Sequence, residues 1–202
     1  MRGAFKPLLP LGGRPVVAQV LHALKSDARI DPLLVVTGFR SDQVRSALAG
    51  TGVTFVYNEA HEQGEMLSSV RAGIRALPQD AQAFVVALGD QPGVLPLTIR
   101  LLVDAWQRAP GAIVVPVYQG QRGHPIVFPS RCIAKIEALA TDQTLKAVTH
   151  RQGQNVVQVF VDDPAVRMDI DTPQDYQDAV RRWDQKPAAP IGSEALHGSS
   201  PG

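Results

Sequence analysis

Two acidic segments of the chain contain the residues best suited to chemistry. Asp90 ends the segment "AFVVALGD", and Asp169 and Asp171 lie two residues apart in "DIDTPQD". An aspartate at the end of a buried strand suits a divalent cation, because magnesium is usually bound by one or two carboxylates together with substrate phosphates. Residues two apart in an extended segment point to the same side. Asp169 and Asp171 therefore repel each other unless a cation or hydrogen-bond donors lie between them.

Both segments also have a structural interpretation that needs no ligand. Aspartate, proline and glycine favour turns, so "GDQPG" is typical of a turn with an Asx hydrogen bond. In the second segment Thr172 is a good N-cap, Pro173 fits the first position of a helix, and Asp175 can complete a capping box. These roles leave Asp169 unexplained. The sequence keeps both interpretations open.

A histidine in the segment "GHPI" is a weaker candidate. His124 lies between Gly123 and a proline as a strand begins, where glycine permits a close backbone approach to a ligand. An isolated histidine is more often an ordinary hydrogen-bonded residue, and the five histidines have no zinc-type spacing. Cys132 has no flanking activating residue. Zinc chemistry and covalent catalysis are therefore not indicated.

A further polar group surrounds the start of a predicted helix. Asn58 follows a predicted strand, and Gly64 comes just before a helical segment with Ser68 and Ser69 in its second turn. Free backbone amides at a helix N-terminus can hold an anion. Capping without a ligand, or packing of the small serines, explains the same residues equally well.

The elements that must position these residues alternate along the chain. Apolar runs predict strands at 32–38, 53–58, 83–90, 112–118, 124–128 and 155–161, and helical spacing lies between most of them and in 14–25. Apolar strands separated by amphipathic helices are typical of a parallel sheet covered on both faces, which predicts an α/β layered fold. Ligands of such folds bind beyond the carboxyl ends of the strands, where Asn58 and Asp90 are expected.

Composition limits the classes of partner and location. The chain has 202 residues, with 20 lysine and arginine residues against 19 aspartate and glutamate residues, so no broad basic surface for nucleic acid is expected. The single cysteine cannot form an internal disulfide, and no apolar run approaches the length of a membrane span. These features predict a cytoplasmic protein without a membrane partner. One domain over 1–185 and a disordered tail over 186–202, rich in proline, glycine and serine, are expected.

The order of the motifs is more specific than any one of them. "KPLLPLGGRPVV", then Asn58, Gly64, Ser68 and Ser69, then "GDQP", "RGHPI" and "DIDTPQDY" follow one another along the chain. This series resembles the molybdenum cofactor cytidylyltransferases, which belong to the nucleotidyltransferases with a Rossmann-like, three-layer fold and a mostly parallel sheet. The resemblance covers roughly residues 3 to 183, and "GHPI" favours the cytidylyltransferase branch over the guanylyltransferases.

The resemblance implies a Mg²⁺-dependent transfer of CMP from CTP to the molybdenum cofactor, a molybdopterin, with release of pyrophosphate. It also implies a recipient molybdoenzyme, or its chaperone, as a further partner. Lys6 would neutralise phosphate charge, Asp90 would bind the metal, and Asp171 with Asp169 would complete the metal or substrate site. The resemblance assigns substrate binding to a looser set of residues: Gly3, Asn58, Gly64, Ser68, Gly123 and His124.

One departure from the family pattern concerns the start of the domain. Family members begin with a strand that runs into a glycine-rich loop of the form LAAGxSxRMGxxK, and only Gly3 and Lys6 of that pattern are found here. The first strand and most of the loop are therefore expected to be missing, which would leave unpaired sheet edges. An N-terminally short form of an active enzyme and a non-catalytic nucleotide-binding or partner-binding protein both fit. A guanylyltransferase or sugar-nucleotide transferase of the same fold is the alternative activity.

Overall fold

The structure is a computed structural model that describes residues 5–63, 66–150 and 155–185. Gly3, Gly64 and the predicted tail over 186–202 lie outside the described residues. The strands are β1 Pro10–Leu11, β2 Arg14–Pro15, β3 Leu34–Thr37, β4 Thr54–Tyr57, β5 Ala83–Val86, β6 Ile113–Tyr118, β7 Gln121–Arg122, β8 Ile126–Pro129 and β9 Val156–Phe160. The helices are α1 Val16–Leu24, α2 Ser41–Ala47, α3 Met66–Arg75, α4 Pro96–Arg108, α5 Ile133–Glu137, α6 Lys146–Thr149 and α7 Pro173–Asp184. None of the described helices has the length and apolar character needed to cross a membrane.

The first predicted helix begins two residues later than its spacing indicates, because a small hairpin precedes it. β1 and β2 pair antiparallel, and the turn between them consists of Gly12 and Gly13, both with positive φ. Two consecutive positive φ values are the requirement of a two-residue hairpin turn, which glycine meets without strain. A Cβ on Gly12 would lie only 1.9 Å from the indole nitrogen of Trp183 in α7. The last helix is therefore packed directly on the first hairpin.

The α/β prediction is confirmed, but the strand directions differ from the mostly parallel sheet that was expected. β3 pairs parallel with β4, and β6 pairs parallel with β9. β8 lies between β5 and β6 and runs antiparallel to both. The chain passes from β6 to β8 through the short β7 hairpin without a crossover helix, and such a connection can only produce antiparallel neighbours. Apolar strands have the same sequence pattern in either direction, so the antiparallel direction of β8 could not be predicted from the sequence.

The strands form two larger sheets that are not joined by strand pairing in the described part of the chain. One contains β3 and β4, and the other contains β5, β8, β6, β7 and β9. β3 and β5 each have a single strand partner there. An apolar cavity of about 990 Å³ is lined by both strands and by α1, α3 and α4. The mouth of this cavity opens at the candidate functional site.

Candidate active site

Three distant segments bring four charged side chains together. Lys6 lies in a short 3₁₀ turn, and its Nζ donates a hydrogen bond of 2.8 Å to Oδ1 of Asp171. The segment before α7 is held against the end of β5, because the backbone N–H of Ile170 donates to the carbonyl of Asp90 over 3.0 Å. Asp90 and Asp169 both line the mouth of the cavity. The structure therefore places all three predicted metal ligands and the predicted phosphate-binding lysine at one edge of the sheet.

The pKa directions in this group show an excess of negative charge. Loss of hydration on burial raises the pKa of Asp90, and the Asp171 carboxylate adds to the rise. Burial also raises the pKa of Asp169, which Asp90 and Asp171 raise further. The hydrogen bond to Asp171 raises the pKa of Lys6 above its ordinary value, so its ammonium group stays charged at neutral pH. The positive charge of one lysine thus only partly balances the negative charges of three carboxylates. A further cation would reduce the repulsion between these carboxylates.

The capping interpretation of the second acidic segment holds, and the first segment forms a turn. The Thr172 side chain accepts from the backbone of Asp175, the Asp175 carboxylate accepts from the backbone of Thr172, and Pro173 is the first residue of α7. The backbone N–H of Gln91 donates to the carbonyl of Leu88, which closes the predicted turn around Asp90. Neither arrangement uses the carboxylate of Asp169.

The donor set fits a divalent cation that binds the protein through only a few ligands. The described residues contain no group of three or more histidine, cysteine, aspartate or glutamate side chains placed to hold a metal ion. Asp169 nonetheless lies near enough to Asp90 for the charge of Asp90 to raise its pKa. Magnesium and similar hard cations commonly take one or two carboxylates and complete their coordination with water and phosphate oxygens. A cation bound jointly by this edge and a triphosphate is therefore chemically consistent with the residues present.

Asn58 and Ser68 lie together, in a second group at the end of β4. The Asn58 side chain is 4% exposed, and its Nδ2 donates to Oγ of Ser68 at 2.9 Å and of Ser69 at 3.1 Å. Its Oδ1 accepts from the backbone N–H of Ala60 at 3.1 Å. The hydrogen bonds of Asn58 thus connect the end of β4 to the start of α3. Substrate binding by this pair stays a prediction.

Gly123 and His124 both contact the backbone of Val166. A Cβ on Gly123 would lie 2.1 Å from the carbonyl oxygen of Val166, so a close approach of the protein's own backbone requires glycine here. The backbone N–H of His124 donates to the same carbonyl over 2.8 Å. Burial, with a smaller effect of Lys146, lowers the pKa of His124 and keeps its imidazole neutral. Its Nε2 is buried without a hydrogen-bond partner among the described residues.

A cationic and aromatic group at the end of β3 was missed by the sequence analysis. The rings of Phe5 and Phe39 meet edge to face with their centroids 5.8 Å apart. The Arg40 guanidinium lies 5.7 Å from the Phe5 centroid and 5.2 Å from the Phe39 centroid. Arg40 has a φ of 56°, which is uncommon for a residue other than glycine. The available signal was position, because "TGFR" directly follows a strand at the edge where ligands bind.

Comparisons with known proteins agree with this geometry. Residues 1–156 match the family described as MobA-like NTP transferase domain. The chain is 27% identical over 183 residues to the molybdenum cofactor cytidylyltransferase of Escherichia coli, and the match covers 90% of each protein. It is also 36% identical over 104 residues to the bifunctional protein GlmU of Cupriavidus pinatubonensis, of which it spans only 21%.

Solved structures show the same fold. The crystal structure of Rv0371c from Mycobacterium tuberculosis superposes with a TM-score of 0.79 at 29% identity, covering 89% of this chain and 90% of that one. The structure of the same protein in complex with manganese gives a TM-score of 0.75 at 28% identity, covering 87% of this chain and 91% of that one.

Proposed function

The chain belongs to the MobA-like NTP transferase domain family and is a nucleotidyltransferase, and from this premise we propose that it transfers CMP from CTP to the molybdenum cofactor with release of pyrophosphate. The observation that carries the proposal is the group of Lys6, Asp90, Asp169 and Asp171 at the carboxyl edge of the sheet. Similarity to the Escherichia coli cytidylyltransferase over 90% of each chain supports the choice of nucleotide and acceptor.

The proposed reaction needs positioning and charge neutralisation more than covalent help. A terminal phosphate oxygen of the cofactor attacks the α-phosphorus of CTP, a new phosphorus–oxygen bond forms, and the bond to the β-phosphate oxygen breaks. Lys6 would neutralise phosphate oxygens. Its charged ammonium and the solvent exposure of its Asp171 partner support this role. Asp90 with Asp169 would hold a divalent cation, proposed to be Mg²⁺, which would supply charge neutralisation for the phosphates. Manganese in the similar Rv0371c structure supports a divalent ion.

Several finer assignments belong to the same proposal. Asn58 and Ser68 bind the nucleotide or acceptor, and Gly123 and His124 lie on the cofactor side of the cleft. The product passes to a molybdoenzyme in the cytoplasm, either directly or through a chaperone.

Pyrophosphate release measured separately with CTP and GTP, in the presence of molybdenum cofactor and Mg²⁺, tests the proposal. We expect release with CTP and little with GTP, and loss of turnover in Asp90→Asn. The matched control is Asp184→Asn, which removes an exposed aspartate at the end of α7 and is expected to retain turnover. Faster release with GTP would contradict the nucleotide assignment, and turnover by Asp90→Asn equal to that of the parent would place the cation elsewhere.

A further inference from the structure

The cationic and aromatic group at the end of β3 has no role in the proposed reaction. It consists of Phe5, Phe39 and Arg40, and we call it the ring-and-cation group. Phe5 directly precedes Lys6 in the chain, so the group begins next to the lysine of the candidate active site. Phe39 and Asp90 line the same cavity. A ligand held by the charged residues can therefore extend along this edge to the group.

Phe39 is exposed, although phenylalanine is among the residues most often buried. It is 63% accessible to solvent and belongs to none of the buried apolar clusters in the described part of the chain. Phe5, in contrast, packs against a buried cluster that contains Val17 and Val35. The anchored Phe5 ring supports Phe39 through their edge-to-face contact. Most of the Phe39 ring stays open for a further contact.

The guanidinium of Arg40 has donors that the described residues do not use. It lies over the rings of Phe5 and Phe39. Within residues 5–63, 66–150 and 155–185 it has no hydrogen-bond or ion-pair partner, and the residue is exposed. An arginine side chain carries five N–H donors, and its planar fork matches the oxygens of a phosphate. The group therefore combines an open aromatic ring with a cation that is available to an anion.

The backbone of Arg40 makes a purely structural role a poor explanation. Its φ of 56° and ψ of 35° lie in the left-handed region, which costs free energy for any residue except glycine. The turn itself is closed by the N–H of Ser41, which donates to the carbonyl of Gly38 over 3.1 Å. A glycine in place of Arg40 would make this turn without strain. The turn therefore does not explain why an arginine is present.

A second arginine of α2 shows an ordinary contact of the same kind. Arg45 lies over the ring of Phe55, 4.8 Å from its centroid. Phe55 packs against the same buried cluster as Phe5, and Arg45 has a helical backbone. Arginine–aromatic pairs of this kind are common in proteins. Packing explains Arg45 and Phe55, but it does not explain an exposed ring beside an arginine with a strained backbone.

We propose that Phe39 and Arg40 form a subsite for a planar ring compound that carries a phosphate. The ring stacks on Phe39, and Arg40 donates hydrogen bonds to a phosphate oxygen. The proposed reaction brings two compounds of this chemistry to the site, because CTP contains a cytosine and molybdopterin contains a pterin. The identity of these two compounds rests on the proposed function, and the subsite adds the residues that hold the ring of one of them.

Titration calorimetry of the whole chain with Mg²⁺ tests the subsite without turnover. The probes are CTP, a hydroxymethylpterin phosphate and inorganic triphosphate, which has no ring. Phe39→Leu removes the aromatic face and should raise the dissociation constant of one ring compound about 5- to 150-fold, without an effect on triphosphate. Phe39→Tyr keeps the ring and should bind like the parent. Arg40→Gln should weaken binding of the same ring compound about 10- to 100-fold.

The matched control is Arg45→Gln, which removes the ordinary arginine–aromatic contact of α2. It should leave all three dissociation constants unchanged. A loss confined to CTP would assign the ring as cytosine, and a loss confined to the pterin compound would assign it as pterin. Either result supports the subsite. Thermal unfolding checks that each variant is folded, and Arg40→Gln provides the test if Phe39→Leu is not.

Other results would overturn the proposal. These are unchanged dissociation constants in both Phe39→Leu and Arg40→Gln, failure of the parent to bind either ring compound, and equal weakening of CTP and triphosphate by Phe39→Leu. Pyrophosphate release distinguishes this failure from failure of the proposed function. Binding that depends on both residues without release from CTP would refute the proposed function and keep the subsite. Release by the parent with binding that is independent of both residues would refute the subsite alone.

Discussion

Replacing Lys6 by glutamine should lower activity strongly while changing the free energy of unfolding only slightly. The Lys6–Asp171 ion pair is exposed, with 32% of the lysine and 66% of the aspartate side chain accessible to solvent. Exposed pairs of this kind contribute about 0–1 kcal/mol, because water screens their attraction and ordering the side chains costs entropy. Lys6→Gln should therefore lower the free energy of unfolding by less than about 1 kcal/mol.

The expected loss of activity is larger. A hydrogen bond to a charged group is worth about 1.5–3 kcal/mol, and each 1.4 kcal/mol changes a rate about tenfold. Loss of one contact between the lysine and a phosphate oxygen should thus lower kcat/KM for CTP by about 10- to 100-fold. Lys6→Arg, which keeps the charge, should recover part of this loss. Lys135→Gln, which changes an exposed lysine of α5, is the matched control and should leave both quantities unchanged.

The measurements are urea unfolding followed by circular dichroism and steady-state pyrophosphate release. The pKa of Lys6 is raised in the folded protein, so the contribution of the pair to stability is complete below pH 10.5 and is lost as the pH rises through the folded pKa. The stability difference between Lys6→Gln and the parent should accordingly shrink above pH 10.5. Unchanged kcat/KM in Lys6→Gln would refute the phosphate role. A stability loss of more than about 2 kcal/mol would refute the assignment of the pair as a screened surface contact.

Three further substitutions probe the same edge and its support. Asp90→Asn should raise the free energy of unfolding at pH 7, because the folded state raises the pKa of this carboxyl and so disfavours its anion. The gain in stability should disappear below pH 3.8, where the carboxyl is protonated in both the folded and the unfolded state. A variant less stable than the parent at pH 7 would contradict this prediction. Gly123→Ala should lower stability by more than about 2 kcal/mol in thermal unfolding, because the added Cβ would meet the Val166 carbonyl. Gly89→Ala is the matched control and should be nearly neutral, because the space around its added Cβ is open. Asn58→Ala should lower the free energy of unfolding in urea by about 1–3 kcal/mol, because the hydroxyls of Ser68 and Ser69 lose the donor that they share. An unchanged free energy of unfolding would show that water replaces this donor.

Local patterns were sufficient to predict most of the elements. The run from Thr172 to Asp175 contains all the residues of a capping box, and α7 begins where they predict. The strand ending before Asp90 was predicted from its apolar run alone, because a segment buried on both faces needs no polar residues. These features depend on neighbours within a few positions, so their physical causes can be read directly from the sequence.

Features that depend on distant partners could not be read in this way. No local pattern shows that Lys6 meets Asp171 across 165 positions, and only the family resemblance suggested a common site. The tight contact of Gly123 with Val166 depends on how two loops cross, which no local pattern shows. The β1–β2 hairpin had a signal in its two adjacent glycines, but strands of two residues are too short to show a periodic pattern.

The contact between the first hairpin and the last helix has a consequence for how the protein is made. Trp183 packs on Gly12, the hydroxyl of Tyr176 donates to the carbonyl of Pro10, and Lys6 meets Asp171. During synthesis the N-terminal residues leave the ribosome long before their partners exist. The charged edge therefore cannot assemble until translation has almost passed α7, and contacts of such large sequence separation are slow to form. A nascent chain stalled before residue 170 would contain both sheets' core strands but not the ion pair between Lys6 and Asp171.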